Sequence, residues 1–427
     1  MSLADAEEIA FKNNPRIRIA GSELELSRAK QTQASHAVFL PVFNLRNVWG
    51  PIPRARALLT DHGLTSPDTS TGFSDLRYFT QVELEVLQPI WTFGKTSRLR
   101  DAADSGVDGA IAEVARSKAD IQLLVRRAYW GLILGYELLS VVEDILSEAE
   151  DAEERLQELF DEGSEQVTQN DLFEFQIFMY EIGKAHREAQ DRIVLGKAGL
   201  RAVMELDATT DFALETQVLD PLDVTLDSLP AYTAMALTGR PEIMRLGAGI
   251  EARSALVAAE RSDYWPHFFF GANVAYNRAP SRFDTKNPFL FNPTNFFRPG
   301  VLVGFNWNLN FVQTRDRVRI AQSQLATISQ REAPLRNAIR LEVKKAYLTV
   351  RQAEDNIGES RRALRASNNW LRAETQTFEI GVGEVTDVMD AFRANARMRA
   401  EYLENIFALN ASLAALSKAV GRDLYPK

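Results

Sequence analysis

Along residues 300–311, GVLVGFNWNLNF, apolar and polar positions alternate with one slip at Leu302. Val301, Val303, Phe305, Trp307, Leu309 and Phe311 fall on one face, and Gly304, Asn306, Asn308 and Asn310 on the other; a period of two predicts a β-strand. YFTQVELEVLQPIW sets Val82, Leu84 and Val86 against Gln81, Glu83 and Glu85. PHFFFGANVAYN sets Phe268, Phe270, Ala272, Val274 and Tyr276 against His267, Phe269, Gly271, Asn273, Ala275 and Asn277. With a fourth stretch that starts around Pro41, as the third does around Pro266, strands are predicted over about 38–50, 79–92, 266–277 and 300–311. Such strands are long enough to cross a bilayer when tilted.

Most of the remaining chain has helical spacing, as in Ile121, Leu124, Val125, Ala128, Tyr129 and Leu132. Long helices are predicted over about 97–161, 169–206, 315–379 and 387–421, and shorter ones end near Ala34 and Glu260. The first of each long pair, about 65 residues, would span about 95 Å and should pack side by side with its neighbours as a coiled coil.

The chain also resembles itself. VRRAYWGL at 125–132 matches VKKAYLTV at 343–350, and the same offset of 218 pairs Phe93 with Phe311, Thr96 with Thr314, Phe160 with Phe378, Gly163 with Gly381 and Thr168 with Thr386. Upstream, NNPRIRIAGSELELSRA at 13–29 resembles GRPEIMRLGAGIEARSA at 239–255. A tandem duplication is expected: a first repeat over 1–207, a linker over 208–235 and a second repeat over 236–427. Each repeat runs helix, strand, strand, helix, helix.

Composition narrows the class. The 427 residues are 45% hydrophobic and 25% charged, which excludes a disordered chain. A net charge of −9 argues against nucleic acid as a partner. There is no cysteine, so disulfides and thiolate metal sites are excluded. MSLADAEEIAFKNNP has no basic region followed by an apolar run, so any export signal is expected to lie outside this sequence. The best candidate for a spanning helix, LLVRRAYWGLILGYELLSVV, is interrupted by Arg126, Arg127 and Glu137, so a membrane could be crossed only by strands.

Four strands cannot close a membrane barrel, and open strand edges are not tolerated in lipid. Other copies of the chain would supply the rest: two chains give eight strands and three give twelve. Trp49, Trp91, Trp265 and Trp307 suit an aromatic girdle, while Glu83, Glu85, Asn306, Asn308 and Asn310 would face the lumen. One rival reading is a soluble coiled-coil assembly protein whose hairpins pack on helices. The other is a free-standing uptake channel, which gives the long helices no evident purpose.

In this order and repetition the sequence resembles the TolC-like outer membrane efflux protein family, from ADAEEIAFKNNP to LSKAVGRDL. The resemblance rests on the helix-to-strand passages LPVFNL and WPHFFFG, the RRAY and KKAY segments, and the turn FEIGVGEVTDVMDA. It implies a homotrimer, with a twelve-stranded barrel in outer-membrane lipid continuing into a periplasmic α-helical barrel. It also implies a passive, gated exit duct for small molecules or proteins, docked to a periplasmic adaptor (membrane fusion) protein and an inner-membrane transporter. Gly163, Thr168, Gly381, Gly383 and Thr386 would then lie at the hairpin tips that meet the adaptor. Asp387 and Asp390 match the family's aspartates at the periplasmic constriction, where threefold symmetry would make carboxylate rings that favour cations. The alternative for these aspartates is the ordinary preference of acidic residues for a helix's first turn. The family often has a glycine pair after the second strand, whereas WTFGKTSR has one glycine and NFVQTRDR none.

No chemistry is expected. FGKTS at 93–97 is not a phosphate loop, since Pro89 stands where that motif needs its first glycine, and GVG at 381–383 lacks the third glycine of a dinucleotide fingerprint. His36, His62, His186 and His267 are scattered without ligand spacing, so no metal, cofactor or catalytic constellation is predicted.

Overall fold

Both halves of the computed structural model open on a helix that stops at a proline. The structure describes residues 1–54, 75–164, 167–282, 284, 289 and 292–425. Helix α1 (Leu3–Asn13) gives way to α2 (Pro15–Phe39). In the second half α5 (Leu229–Gly239) gives way in the same manner to α6 (Pro241–Ser262). Proline suits the first position of a helix and forces the residue before it into extended backbone, so Asn14 and Arg240 are the two breakpoints. Each is buried and each turns its side chain onto the end of a long helix: Asn14 Nδ2 donates to the Val203 carbonyl at 3.2 Å, and Arg240 Nη1 to the Ala419 carbonyl at 3.4 Å. The single helix expected before each first strand is therefore a pair.

The expected elements follow: strands β1 (Val42–Pro53) and β2 (Leu76–Trp91), then α3 (Lys95–Asp161) and α4 (Gln169–Met204). The second half supplies β3 (His267–Arg278) and β4 (Phe296–Asn306), then α7 (Phe311–Ser329), α8 (Glu332–Glu379) and α9 (Val385–Val420). The helix expected over 315–379 is thus two, broken at Gln330 and Arg331. Pro334 is the cause: it has no N–H to donate, and its ring collides with the carbonyl four residues back, that of Gln330. The position equivalent to Pro334 in the first half is Arg116, and α3 runs through it unbroken for 67 residues.

β4 begins earlier and ends earlier than the alternation suggested, which removes Asn308 and Asn310 from the strand. Asn308 Oδ1 instead accepts from the Asn310 N–H at 3.0 Å, and Asn310 Oδ1 from the Gln313 N–H at 3.4 Å. Asparagine competes with a strand ladder through such local bonds, and here it makes the turn into α7.

The chain divides into two compact units, each assembled from segments far apart in sequence. The first comprises 1–25, 108–247 and 330–427. Its helices close over a core that includes Ile121, Val125, Leu132, Leu200, Val343, Val350 and Leu413, and over a second cluster around Ile145, Phe175, Phe178, Met389 and Phe392. Gly196 and Gly135 let α3 and α4 approach closely, against Leu132 and Ile193 respectively. At the first core lies Arg126, only 4% exposed. It reaches Glu7 at 2.6 Å and both oxygens of Asp423 at 2.7 Å, and its guanidinium lies 3.8 Å from the centre of the Tyr425 ring. The 205–228 stretch holds to this unit by polar bonds: Leu219 N–H to Glu137, and Asn410 to both the Leu222 N–H and the Asp220 carbonyl.

The second unit comprises 26–107 and 248–329. It carries one antiparallel sheet in the order β1-β2-β3-β4, so hairpins from the two halves meet along β2 and β3. β1 and β4 are its open edges.

Candidate functional site

The register sorts the sheet into two faces. Phe43 pairs with Val86, Leu45 with Leu84, Val82 with Tyr276, Val86 with Ala272, Ala272 with Val301 and Phe270 with Val303. Cross-strand partners share a face, so these residues form one continuous apolar surface. It is uncovered: Val301 is 76% exposed and Trp49 73%, while Phe43, Leu45, Val303 and Phe305 are also exposed. Hairpins packed on helices would have buried these side chains, so the soluble assembly reading does not fit. Trp91, Trp265 and Trp307 gather where the strands meet the helices, with Trp49 toward the opposite end of β1, and all four are exposed.

The other face is polar. Asn44 pairs with Glu85, and Glu85 with Asn273; Arg46 pairs with Glu83, and Glu83 with Ala275. Asn273 Nδ2 lies 3.5 Å from Glu83, and Asn306 joins this face opposite His267. Glu83, Glu85 and Asn306 therefore share one surface, which Asn308 and Asn310, past the end of β4, do not enter as strand residues. Two glycines keep it low: a Cβ on Gly304 would stand 3.0 Å from the Phe269 ring, and one on Gly271 equally close to Leu302.

The passage from β2 to α3 holds what the sequence reading missed. Phe93 and Gly94 have φ of 50° and 87°, so a phenylalanine occupies a left-handed position that glycine takes more readily. Its ring stacks on Trp265 with centroids 5.4 Å apart and meets Trp91 edge-on at 5.9 Å. One residue further on, Lys95 Nζ lies 2.6 Å from the nearly buried Asp263, whose other oxygen faces Arg317 at 3.1 Å. FGKTS is thus a strand-to-helix corner. The signal available in the sequence was the single glycine where a pair was expected.

The two helix hairpins end in similar turns. Gly163 and Gly381 adopt φ of 74° and 85°, and the N–H after each closes back onto the carbonyl five residues earlier, Ser164 to Leu159 and Val382 to Thr377. Gly383 is needed for a different reason, because a Cβ there would stand 2.9 Å from the Phe378 nitrogen. Thr168 caps α4 in a reciprocal box with Asp171. Thr386 is not the corresponding cap, since Glu384 holds that position; it lies inside α9 with its hydroxyl 3.5 Å from Glu174. Ile380 and Val382 leave the second tip apolar, at 76% and 74% exposed.

Asp387 and Asp390 are both exposed on the first turns of α9. Asp390 pairs with Arg393 at 3.2 Å, and Arg393 also reaches Glu181 at 3.3 Å. Asp387 sits in the first turn, where its charge also suits the helix dipole. Among the described residues no group of His, Asp and Glu is arranged to hold a metal ion, and no helix is long and apolar enough to cross a membrane. His62 lies outside the described residues.

Residues 233–422 match the profile of the family described as outer membrane efflux protein. No curated protein sequence matches the chain. Solved structures with the same fold include the CmeC outer membrane channel of Campylobacter jejuni, at 14% identity and a TM-score of 0.77, covering 99% of this chain and 86% of that one. The VceC outer membrane protein of Vibrio cholerae matches at 16% and 0.77, over 99% and 96% of the two chains. The MtrE outer membrane channel of Neisseria gonorrhoeae, described in its open state, matches at 16% and 0.77, over 99% and 89%.

Proposed function

From the match of residues 233–422 to the outer membrane efflux protein family and the shared fold, we propose that three copies join edge to edge, β4 of one beside β1 of the next, into a twelve-stranded barrel that continues as a periplasmic helical tube. The protein is an outer-membrane efflux channel, a conduit rather than an enzyme. The observation that carries the trimer is the four-stranded sheet itself, with two unpaired edges and an uncovered apolar face. Lipid covers that face, and a neighbouring copy satisfies each edge.

In this reading Glu83, Glu85 and Asn306 line the barrel lumen. Gly163, Thr168, Gly381, Gly383 and Thr386 shape the tips, where the exposed Ile380 and Val382 offer apolar contact to a periplasmic adaptor. An inner-membrane transporter supplies the energy. Asp387 and Asp390 ring the narrow end and attract cations. The halves 1–207 and 236–427, joined by 208–235, descend from one duplicated unit.

The absence of native cysteine makes the test clean. Single cysteines along 44–48 combined with single cysteines along 301–305 should yield oxidised dimers and trimers in membranes for the pairs in register. Native mass measurement in detergent should give the trimer. A stable monomer with intact strands and no cross-linked product would overturn the assembly.

A further inference from the structure

Near the hairpin tips, a cavity of about 300 Å³ opens where four helices meet: α3 and α4 of the first hairpin, α8 and α9 of the second. Its floor is aromatic and soft, formed by Phe175, Phe378, Phe392 and Met389. Its rim is charged and unbalanced, with Glu148, Asp151 and Glu379 against Arg155. We propose that this cavity binds a small amphipathic monocation, an aromatic ring carrying a quaternary or protonated amine, which bridges the two hairpins of one chain.

Three observations select that class. The volume lies at the lower end of small-molecule sites, which suits a single ring with a compact head group. Ring faces and a thioether favour a flat apolar body, and ring faces also attract cations. The excess of carboxylates on the rim repels an anion and draws a cation to the mouth. The same aromatic cluster already holds one cation: the Arg393 guanidinium lies 5.2 Å from the centre of the Phe178 ring, which packs 5.7 Å from Phe175 and 6.3 Å from Phe392. Val385 and Val388 also line the cavity and flank Asp387, so an occupant touches the helix that carries the proposed constriction. Binding itself does not rest on the trimer or duct reading.

The test is titration calorimetry of the full chain in lipid nanodiscs with benzyltriethylammonium, and with benzenesulfonate as the anionic counterpart. Saturable binding of the cation alone is expected. Glu148→Gln with Asp151→Asn, both at the solvent rim, should weaken it about tenfold. Met389→Trp, which fills the floor, should abolish it. The absence of saturable binding, equal binding of the anion, or cation binding untouched by the rim substitutions would each overturn the site. If Met389→Trp does not fold, the rim variant and the anion comparison decide alone. Whether the chain is trimeric is read separately by mass, so failure of this site and failure of the assembly are distinguishable.

Discussion

The ring of Phe93 lies stacked on that of Trp265, and Phe93 is held at a φ of 50° as β2 turns into α3. A left-handed non-glycine residue costs about 1–2 kcal/mol, and an aromatic pair returns about 0.5–1.5 kcal/mol beyond its area. Phe93→Gly removes both effects and should leave thermal stability little changed. Phe93→Ala keeps the strain and loses the stack, so its unfolding midpoint should be clearly lower than that of the glycine variant. Equal midpoints would show that the backbone angle stores no strain.

The sheet faces differ in what they tolerate. Val301→Arg, near the middle of β4 on the apolar face, should cost about 2–4 kcal/mol when that face meets the bilayer core. Asn273→Arg, on the polar face beside Glu83 and Glu85, should be far milder. The yield of folded, heat-resistant protein in membranes compares the two, and equal losses would contradict a lipid-facing surface.

Three glycines should respond to alanine in three ways. Gly358 lies exposed inside α8 with open space around it, so Gly358→Ala should stabilise by up to about 1 kcal/mol. Gly381→Ala should destabilise by about 1 kcal/mol or more through its positive φ. Gly383→Ala collides with the Phe378 backbone and should disturb the tip most. Thermal unfolding midpoints give the order.

The two aspartates should not be equivalent. Asp390 shares its charge with Arg393, whereas Asp387 makes no such pair among the described residues. Asp387→Asn should therefore shift cation selectivity and divalent-cation block more than Asp390→Asn in planar-bilayer recordings. Unchanged selectivity in both variants would leave them as helix-start residues.

Acid should loosen the Arg126 cluster. Burial by itself would raise the Asp423 carboxyl, but the hydrogen bonds and charge of Arg126 hold it below the ordinary carboxylate value. A carboxyl lowered on folding contributes stability that is fully present above its unfolded pKa of about 4 and is lost as pH falls through the folded value. Wild-type stability should therefore drop below about pH 4, and Asp423→Asn should flatten that drop while lowering stability at pH 7. An unchanged acid limb in the variant would remove Asp423 from the account.

The two periodicities in the chain were enough for the architecture. Period-two alternation marked the strands and assigned Val82, Leu84 and Val86 to one face and Glu83 and Glu85 to the other, because side chains on a strand must alternate. The 218-residue offset paired the tip glycines Gly163 and Gly381, whose left-handed φ is a local demand of the turn. Local rules could not end β4 at Asn306, since the pattern NWNLNF continues the alternation while Asn308 and Asn310 spend their side chains on the turn into α7. Nor did the helical spacing reveal the break that Pro334 imposes, because proline leaves the hydrophobic period intact and acts only on the backbone. Partnerships across the chain needed the tertiary structure altogether. Arg126 with Glu7 and Asp423, Lys95 with Asp263, and the meeting of β2 with β3 join residues far apart in sequence, and no local period encodes which distant group a charge or a strand edge will find.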